Sequence, residues 1–430
     1  MFSLHYLREH VEEVKKNIAQ RQDPDKLKIV DVVLSLDNVW REKKAKGDEL
    51  RHRRNTLSQE INEAKKQRKD VRSLIEEAKT LPQKLAALET ETKELEQRMR
   101  DELLRLPNLL HESVPFGKDD TENVQVKTFG KKPKFKFSLK SHVDLLAQWD
   151  LADLERAAKV SGARWYYLKN ELALLDLALV KYAVDFMCKK KYQFVIPPFM
   201  ISRKPMEGVV PLGDFADALY KIEGEDLYNV ATAEQPLTAL FMDEVLDEKQ
   251  LPLKMCGFTP CYRKEAGAHG KDTKGIFRVH QFHKVEQVIF AKPEESWKLH
   301  EELLANAVEF FKSLGLHGRV VNVCTGDIGI VAAKKYDVEV WMPAQQAYRE
   351  VVSCSNCTDY QAVGLNTKYV KQGTNERAYV HTLNSTCVAT TRALVAILEN
   401  FQDKNGVITI PKVLHKYCGF KKIGSVKKKT

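Results

Sequence analysis

The chain has 430 residues, 43% of them apolar, and a formal net charge of +10, which leaves room for two or three domains and a sizeable core and points to a polyanionic partner if the excess charge is clustered. No run approaches the ~20 apolar residues of a membrane-spanning helix, which argues against a membrane role. Eight scattered cysteines read as free thiols of a reducing compartment, and the opening MFSLHYLREHVEEVKKN, acidic from Glu9 onward, suits neither a secretory signal nor a transit peptide, so the cytoplasm is the expected location.

From Leu34 to Leu106 apolar residues recur three and four apart with almost no Gly or Pro, a helical pattern sustained over several heptads. It breaks near Lys66–Arg72, where KKQRKDVR is nearly all polar. This predicts two antiparallel helices of about 50 Å each, joined by a charged tip. Between Arg41 and Arg72 stand twelve Lys or Arg against six Asp or Glu. Arg51, Arg53, Arg54, Lys65, Lys66, Arg68 and Lys69 could neutralise phosphates in a salt-sensitive contact. Periodicity alone fits a ligand-free dimerising coiled coil equally well.

Pro107 ends the second helix, and PNLLHESVPFGKDDTEN then reads as linker. The expected division is a helical domain over 1–110, a linker over 111–140 and a body over 141–430. In the body, helices are predicted over Asp144–Ala158, Leu172–Lys189, Glu294–Leu314 and Ser385–Asn400, with β-branched runs at Arg319–Val323 and Val338–Trp341. Strands and helices do not alternate strictly, so the expected class is α+β, an antiparallel sheet flanked by helices. No dinucleotide fingerprint or Walker sequence is present. The tail from Lys421, KKIGSVKKK, reads as a solvated basic segment.

The segment Phe258–Glu286 carries the most chemistry. It reads as strand, basic Gly-containing loop, strand. Arg263 and Glu265 share parity before the loop; Arg278, Phe282 and Glu286 share parity after it, so each set projects from one face of its strand. Guanidinium groups suit phosphate oxygens and an aromatic ring offers a purine a stacking surface, so a nucleotide pocket is predicted.

This Arg-x-Glu followed by Arg, Phe and Glu resembles motif 2 of class II aminoacyl-tRNA synthetases, and in detail the seryl-tRNA synthetase family. Leu172–Lys190 followed by YQFVIPPFM resembles motif 1, HTLNSTCVATTRALVAILENFQ resembles motif 3, and Thr232–Glu234 resembles the family's T-x-E loop. The resemblance covers nearly the whole chain. It implies ATP-dependent activation of L-serine to seryl-adenylate and transfer to the 3′ end of serine tRNA, with selenocysteine tRNA also within the family's range. A catalytically inactive, RNA-binding paralogue is the alternative.

By the same resemblance, Arg263, Glu265 and Arg392 are catalytic. ATP would be held by these three with Lys264, Arg278, Val279, Phe282, Glu350, Val351, Val352 and Ser353, with Glu350 carrying Mg²⁺. Serine would be held by Thr232, Ala233, Glu234, Arg263, Glu286, Asn384 and Thr386. The helical arm would bind serine tRNA, His269 would approach the tRNA acceptor end, and motif 1 would form a C2 homodimer interface. His280 and His283 are not read as metal ligands. Cys354 and Cys357 form a C-x-x-C without the second pair that a structural zinc needs. Two departures stand out: Ser385 where many members have Gly, and Val363–Gly364 where many have two arginines.

Overall fold

The computed structural model describes residues 1–265 and 274–424, the side chains of Asp214 and Ala216 excepted. It divides into two compact units, one made of Phe2–Ala19 and Asp23–Pro107, the other of Asn108–Thr430 with Met1 and Gln20–Gln22.

The first unit holds α1 (Leu4–Glu9), α2 (Val11–Ala19), α3 (Pro24–Lys66) and α4 (Arg72–Arg105). The long helix starts ten residues earlier than its periodicity suggests. Asp23 accepts a hydrogen bond from Asp25 N at 3.1 Å, and Pro24 sits in the first turn, where its missing N–H costs nothing. The β-branched residues that follow hide this start, yet Ile29, Val30 and Val33 are buried within the helical unit, where α3 packs on α2 and α4. At 1.5 Å per residue α3 is about 65 Å long and α4 about 50 Å. The break falls as expected, with Arg68 at φ +51° in the turn. Cross-helix pairs run antiparallel: Trp40 Nε1 to Glu96 (3.0 Å), Lys43 to Glu91 (2.5 Å), Arg51 to Glu89 (3.0 Å) and Arg53 to Glu77 (2.8 Å). Leu57, Leu81, Leu85, Met99 and Leu103 are the buried stripe.

Among the described residues of the second unit, an eight-stranded sheet is built from β1 (Val124–Phe129), β2 (Gln193–Val195), β3 (Leu253–Tyr262), β4 (Gln281–Ala291), β5 (Gly318–Asn322), β6 (Lys334–Met342), β7 (Ala347–Asn356) and β8 (His381–Ala389). The order is β1-β5-β6-β7-β8-β4-β3-β2, antiparallel throughout except at β2/β3. The expected class is therefore the observed one.

The helices of this unit used below are α5 (His142–Gln148), α6 (Leu154–Ser161), α7 (Asn170–Lys189), α8 (Arg203–Val209), α9 (Glu234–Thr238), α10 (Pro293–Ser313), α11 (Tyr360–Leu365) and α12 (Thr390–Asn400). Two expected helices differ. The stretch Asp144–Ala158 is split into α5 and α6 because Asp150 takes φ +50°, which no helix continues through. Ser385–Ala389 belong to β8, where Thr386 faces Glu286 and Val388 faces Val285 across the ladder; the helix starts at Thr390.

α7, α10 and α12 pack on one face of the sheet. Leu175, Leu179, Leu303, Phe310, Leu394 and Leu398 meet Val285, Ile289, Leu383 and Cys387 there. Phe310 and Phe311 are fully buried, contributing about 2–3 kcal/mol each by area removed from water. With that face covered, alternate residues of β4, β7 and β8 turn to the other side. This is where the polar residues gather.

Candidate active site

A cavity of about 420 Å³ opens on that second face. Phe282, Lys284 and Glu286 enter it from β4 at the period of a strand, Asn384 and Thr386 from β8, Val351, Ser353 and Ser355 from β7, and Lys335 from β6. Arg263 and Glu265 lie just past the end of β3, and Arg278 precedes β4, so strand parity does not account for their placement. Glu265 has φ +48°, with its carbonyl accepting from Arg164 Nη1 at 3.0 Å. All three still line the cavity.

At one end the walls are carboxylates and amides. Gln361 Nε2 and Asn384 Nδ2 donate to the same Glu234 oxygen, Oε1, at 2.9 and 3.0 Å. Gln361 is itself held by Thr382, whose hydroxyl donates to Gln361 Oε1 at 2.6 Å. Burial pushes the Glu234 carboxyl up, opposed by the Gln361 bond and the charges of Lys284 and Arg263. Thr232 Oγ1 accepts from Lys284 Nζ (3.1 Å) and from Glu234 N (3.3 Å), which occupies both its lone pairs and leaves its proton to donate. Glu286 is 1% exposed, with its Oε2 2.6 Å from Lys284 Nζ. Burial raises its carboxyl to about 7 against the pull of Lys284. Thr386 lies directly opposite on β8.

At the other end lie cations and rings. The Arg263 guanidinium stands 5.3 Å from the centre of the Phe282 ring, and its Nε donates to Ala231 O at 3.3 Å. Arg278 Nη1 pairs with Glu265 Oε2 at 3.3 Å. Arg392 Nη1 donates to Glu350 O at 2.8 Å and lies 3.2 Å from Glu350 Oε2. Phe277 carries Arg349 and Arg392 over its ring at 4.4 and 5.3 Å. The Glu350 side chain keeps 44% of its surface exposed; the surrounding protein opposes its ionisation, but Arg392, Lys335 and Arg263 outweigh this and hold the carboxyl well below the usual carboxylate range. A carboxylate that stays ionised beside a surplus of arginine and lysine suits phosphate oxygens with a divalent cation between.

Of the residues expected here, three side chains are not in the wall. Ala233 is buried in a cluster with Leu237, and Val352 points into the core on the helix-covered side, as alternation from Val351 and Ser353 requires. Lys264 lies over the Tyr220 ring at 5.9 Å. His280 Nδ1 is 2.8 Å from Arg263 O and 3.1 Å from Tyr220 Oη, while His283 Nδ1 is 2.6 Å from Asp176 Oδ2. His269 lies outside the described residues. Lys284, Lys335 and Phe277 line the wall without having been anticipated, as does the buried Gln361 that holds Glu234 from behind it; Lys284 shares parity with Phe282 and Glu286 and was open to discovery.

In the helical unit, Arg51 is engaged by Asp48 (2.7 Å) and Glu89 (3.0 Å), and Arg53 by Glu60 (2.9 Å) and Glu77 (2.8 Å). These four acidic partners offset much of the charge assigned to the two arginines. Arg54, Lys65, Lys66, Arg68 and Lys69 are exposed and have no ion pair among the described residues.

Two family models match the chain: the seryl-tRNA synthetase N-terminal domain over residues 1–110, and the tRNA synthetase class II core domain (G, H, P, S and T) over 219–401. A serine–tRNA ligase of Methanoregula boonei is 54% identical over 418 residues, 97% of this chain and 98% of that protein. The chain belongs to the seryl-tRNA synthetase family. Among solved structures of the family, the seryl-tRNA synthetase of Pyrococcus horikoshii complexed with ATP matches at TM-score 0.93 and 47% identity, covering 99% of this chain and all of that one. The cytoplasmic serine–tRNA ligase of Naegleria fowleri in complex with AMP matches at 0.83 and 34%, covering 97% and 96%.

Proposed function

We propose that the chain is a serine–tRNA ligase: it activates L-serine with ATP and passes the seryl group to the 3′ end of serine tRNA. The observation that carries this reading is one cavity with a carboxylate–amide end suited to an amino acid and an arginine–aromatic end suited to a nucleotide, on a fold shared throughout with family members bound to ATP and AMP. The catalytically inactive alternative finds no support, since Arg263, Glu265, Glu286, Glu350 and Arg392 are all present in the cavity wall.

In the first step a serine carboxylate oxygen attacks the α-phosphorus of ATP while its bond to pyrophosphate breaks. The carboxylate is ionised at neutral pH, so no general base is required, and catalysis is positioning plus charge neutralisation. Arg263 would bridge the α-phosphate and the carboxylate, with Phe282 stacked on adenine and Glu265 holding its amino group. Arg278 and Arg392 would take the outer phosphates. Glu350 would hold Mg²⁺, which neutralises phosphate charge when bound, and the Ser353 hydroxyl would contact the phosphates directly. Glu234 would hold the serine ammonium through Oε2, since Gln361 and Asn384 occupy Oε1; Glu286 and Thr386 would take the hydroxyl. A site built to hydrogen-bond a hydroxyl rejects alanine because its buried polar groups would be left unpaired. In the second step a terminal ribose hydroxyl of the tRNA attacks the seryl carbonyl, and AMP leaves.

A homodimer through motif 1 is part of this reading. It is supported by large apolar side chains exposed on α7 and just beyond β2: Leu174 at 52%, Leu177 at 58% and Ile196 at 62%. The primary test is serine-dependent ATP–pyrophosphate exchange on the purified chain with alanine, threonine and glycine as competitors. Exchange specific to serine is expected; exchange with another amino acid, or none, would refute the assignment.

A further inference from the structure

Lys284 is 8% exposed and lies in the cavity wall, a degree of burial at which a lysine needs a paired charge. β4 places it there, because residues 284 and 286 project to the same side of the strand. Its ammonium spans two elements, 3.1 Å from Thr232 Oγ1 ahead of α9 and 2.6 Å from Glu286 Oε2 on its own strand. The second contact is a short charge-assisted ion pair, and the Glu286 carboxylate is also hydrogen-bonded by Thr386. Lys284 thus supplies the countercharge of Glu286, and a carboxylate with about four lone-pair sites keeps capacity for a further hydrogen bond beside Lys284 and Thr386.

We propose that Lys284 is the positioning residue for side-chain selection: its ammonium fixes the Thr232 hydroxyl and keeps Glu286 an anionic acceptor for the hydroxyl of the amino acid. The inference rests on the serine-activating function. A buried carboxyl with another carboxylate nearby takes up a proton when its cation is removed, and a protonated Glu286 would present a donor where the substrate hydroxyl needs an acceptor. The groups facing Glu286 are Lys284 on its own strand, Glu234 on α9, and the thiols of Cys261 on β3, Cys354 on β7 and Cys387 on β8. Burial raises all three thiols, so they stay neutral and cannot replace the lysine. Glu234, when ionised, adds to the need for it.

Exchange kinetics of the full chain from about pH 6 to 9 test the proposal. Lys284→Met is expected to raise the serine KM about tenfold or more while the ATP KM stays within about twofold, as a lost charged contact in the amino-acid end predicts. The acid limb of kcat/KM for serine should move up by about one pH unit, and discrimination against alanine should narrow. In Glu286→Gln the limb should vanish, and adding Lys284→Met should then leave the pH profile unchanged. A silent Lys284→Met, or a KM rise shared equally by ATP with the limb in place, would overturn the proposal. If Lys284→Met does not fold, Lys284→Arg, which keeps the charge, is expected to retain the wild-type limb; a shifted limb there overturns it as well. Absence of serine-dependent exchange in the wild-type chain would overturn the function and this inference together, whereas normal wild-type exchange beside a silent Lys284→Met would overturn this inference alone.

Discussion

Arg263 stands where the two ends of the cavity meet, with its guanidinium over Phe282 and its Nε on the backbone before the Thr232–Glu234 turn. A cation there serves both the attacking carboxylate and the α-phosphate. Arg263→Ala is expected to lower ATP–pyrophosphate exchange by at least about 10³-fold, in the range of losing a principal charge-stabilising group, with folding intact by circular dichroism; near-normal exchange would refute the role. Asp337 on β6 offers a test that does not depend on function. It is 7% exposed, its Oδ1 has no hydrogen-bond partner, and burial raises its carboxyl to about 8 despite Lys335, with Glu350, Asp327 and Glu339 adding to the rise. The folded chain therefore holds a proton that the unfolded chain releases near pH 4, so stability declines as pH rises from about 4 to 8. Asp337→Asn should be close to wild type near pH 4 and more stable by about 2–5 kcal/mol at pH 8.5, read from urea unfolding at both pH values. An equal difference at the two pH values would contradict the assignment.

Two glycines show how the packing of an element reverses the sign of one substitution. Gly364 on α11 meets Gly208 on α8 so closely that a Cβ on Gly364 would lie 2.7 Å from the Gly208 carbonyl oxygen. This accounts for the Val363–Gly364 departure: an arginine at 364 needs α8 and α11 further apart than they are here. Gly364→Arg should destabilise the chain by about 1–3 kcal/mol. It should also raise the serine KM, because α11 carries Gln361, which holds Glu234. Gly47, inside α3, is the opposite case. A Cβ there would make ordinary contacts with Leu88 Cδ2 at 3.6 Å and Arg51 Nη1 at 3.8 Å. Gly47→Ala should stabilise the helical unit by about 0.5–1 kcal/mol through helix propensity, seen as a higher urea midpoint of the helical signal at 222 nm. Both glycines are ordinary in the sequence, and only the neighbouring backbone tells them apart. The same holds for the site. Phe282 and Glu286 were legible because a strand repeats every second residue, and Lys284 obeys the same rule. Gln361 carries no such mark, since it reaches Glu234 from a short helix more than a hundred residues away. The antiparallel helices and their tip were legible from uninterrupted periodicity, whereas the start at Pro24 was masked by β-branched residues that burial within the helical unit tolerates in a helix.

For the whole molecule, the division of labour between the units has a measurable consequence. Activation chemistry is assigned to residues of the second unit alone, from Thr232 to Arg392, and tRNA binding to the exposed cations of the first. Arg51 and Arg53 are committed to carboxylates within the helical unit, so the charge free to meet phosphates is concentrated in Lys65, Lys66, Arg68 and Lys69 at the tip and Arg54 below it. Replacing the four tip residues with alanine should leave serine-dependent exchange within about twofold of wild type while raising the KM for tRNA in aminoacylation. Because each phosphate contact releases a counterion, the dependence of tRNA affinity on salt should flatten, by a slope of up to about 3 if all four cations contact phosphates. Replacing Arg51 and Arg53 instead should chiefly weaken the pairing of α3 with α4, through Glu89 and Glu77, and alter the salt slope far less. If the tip variant lost exchange as well, activation would depend on the arm and the separation of roles would fail; if neither activity nor salt slope changed, the tRNA would have to be bound elsewhere on the chain.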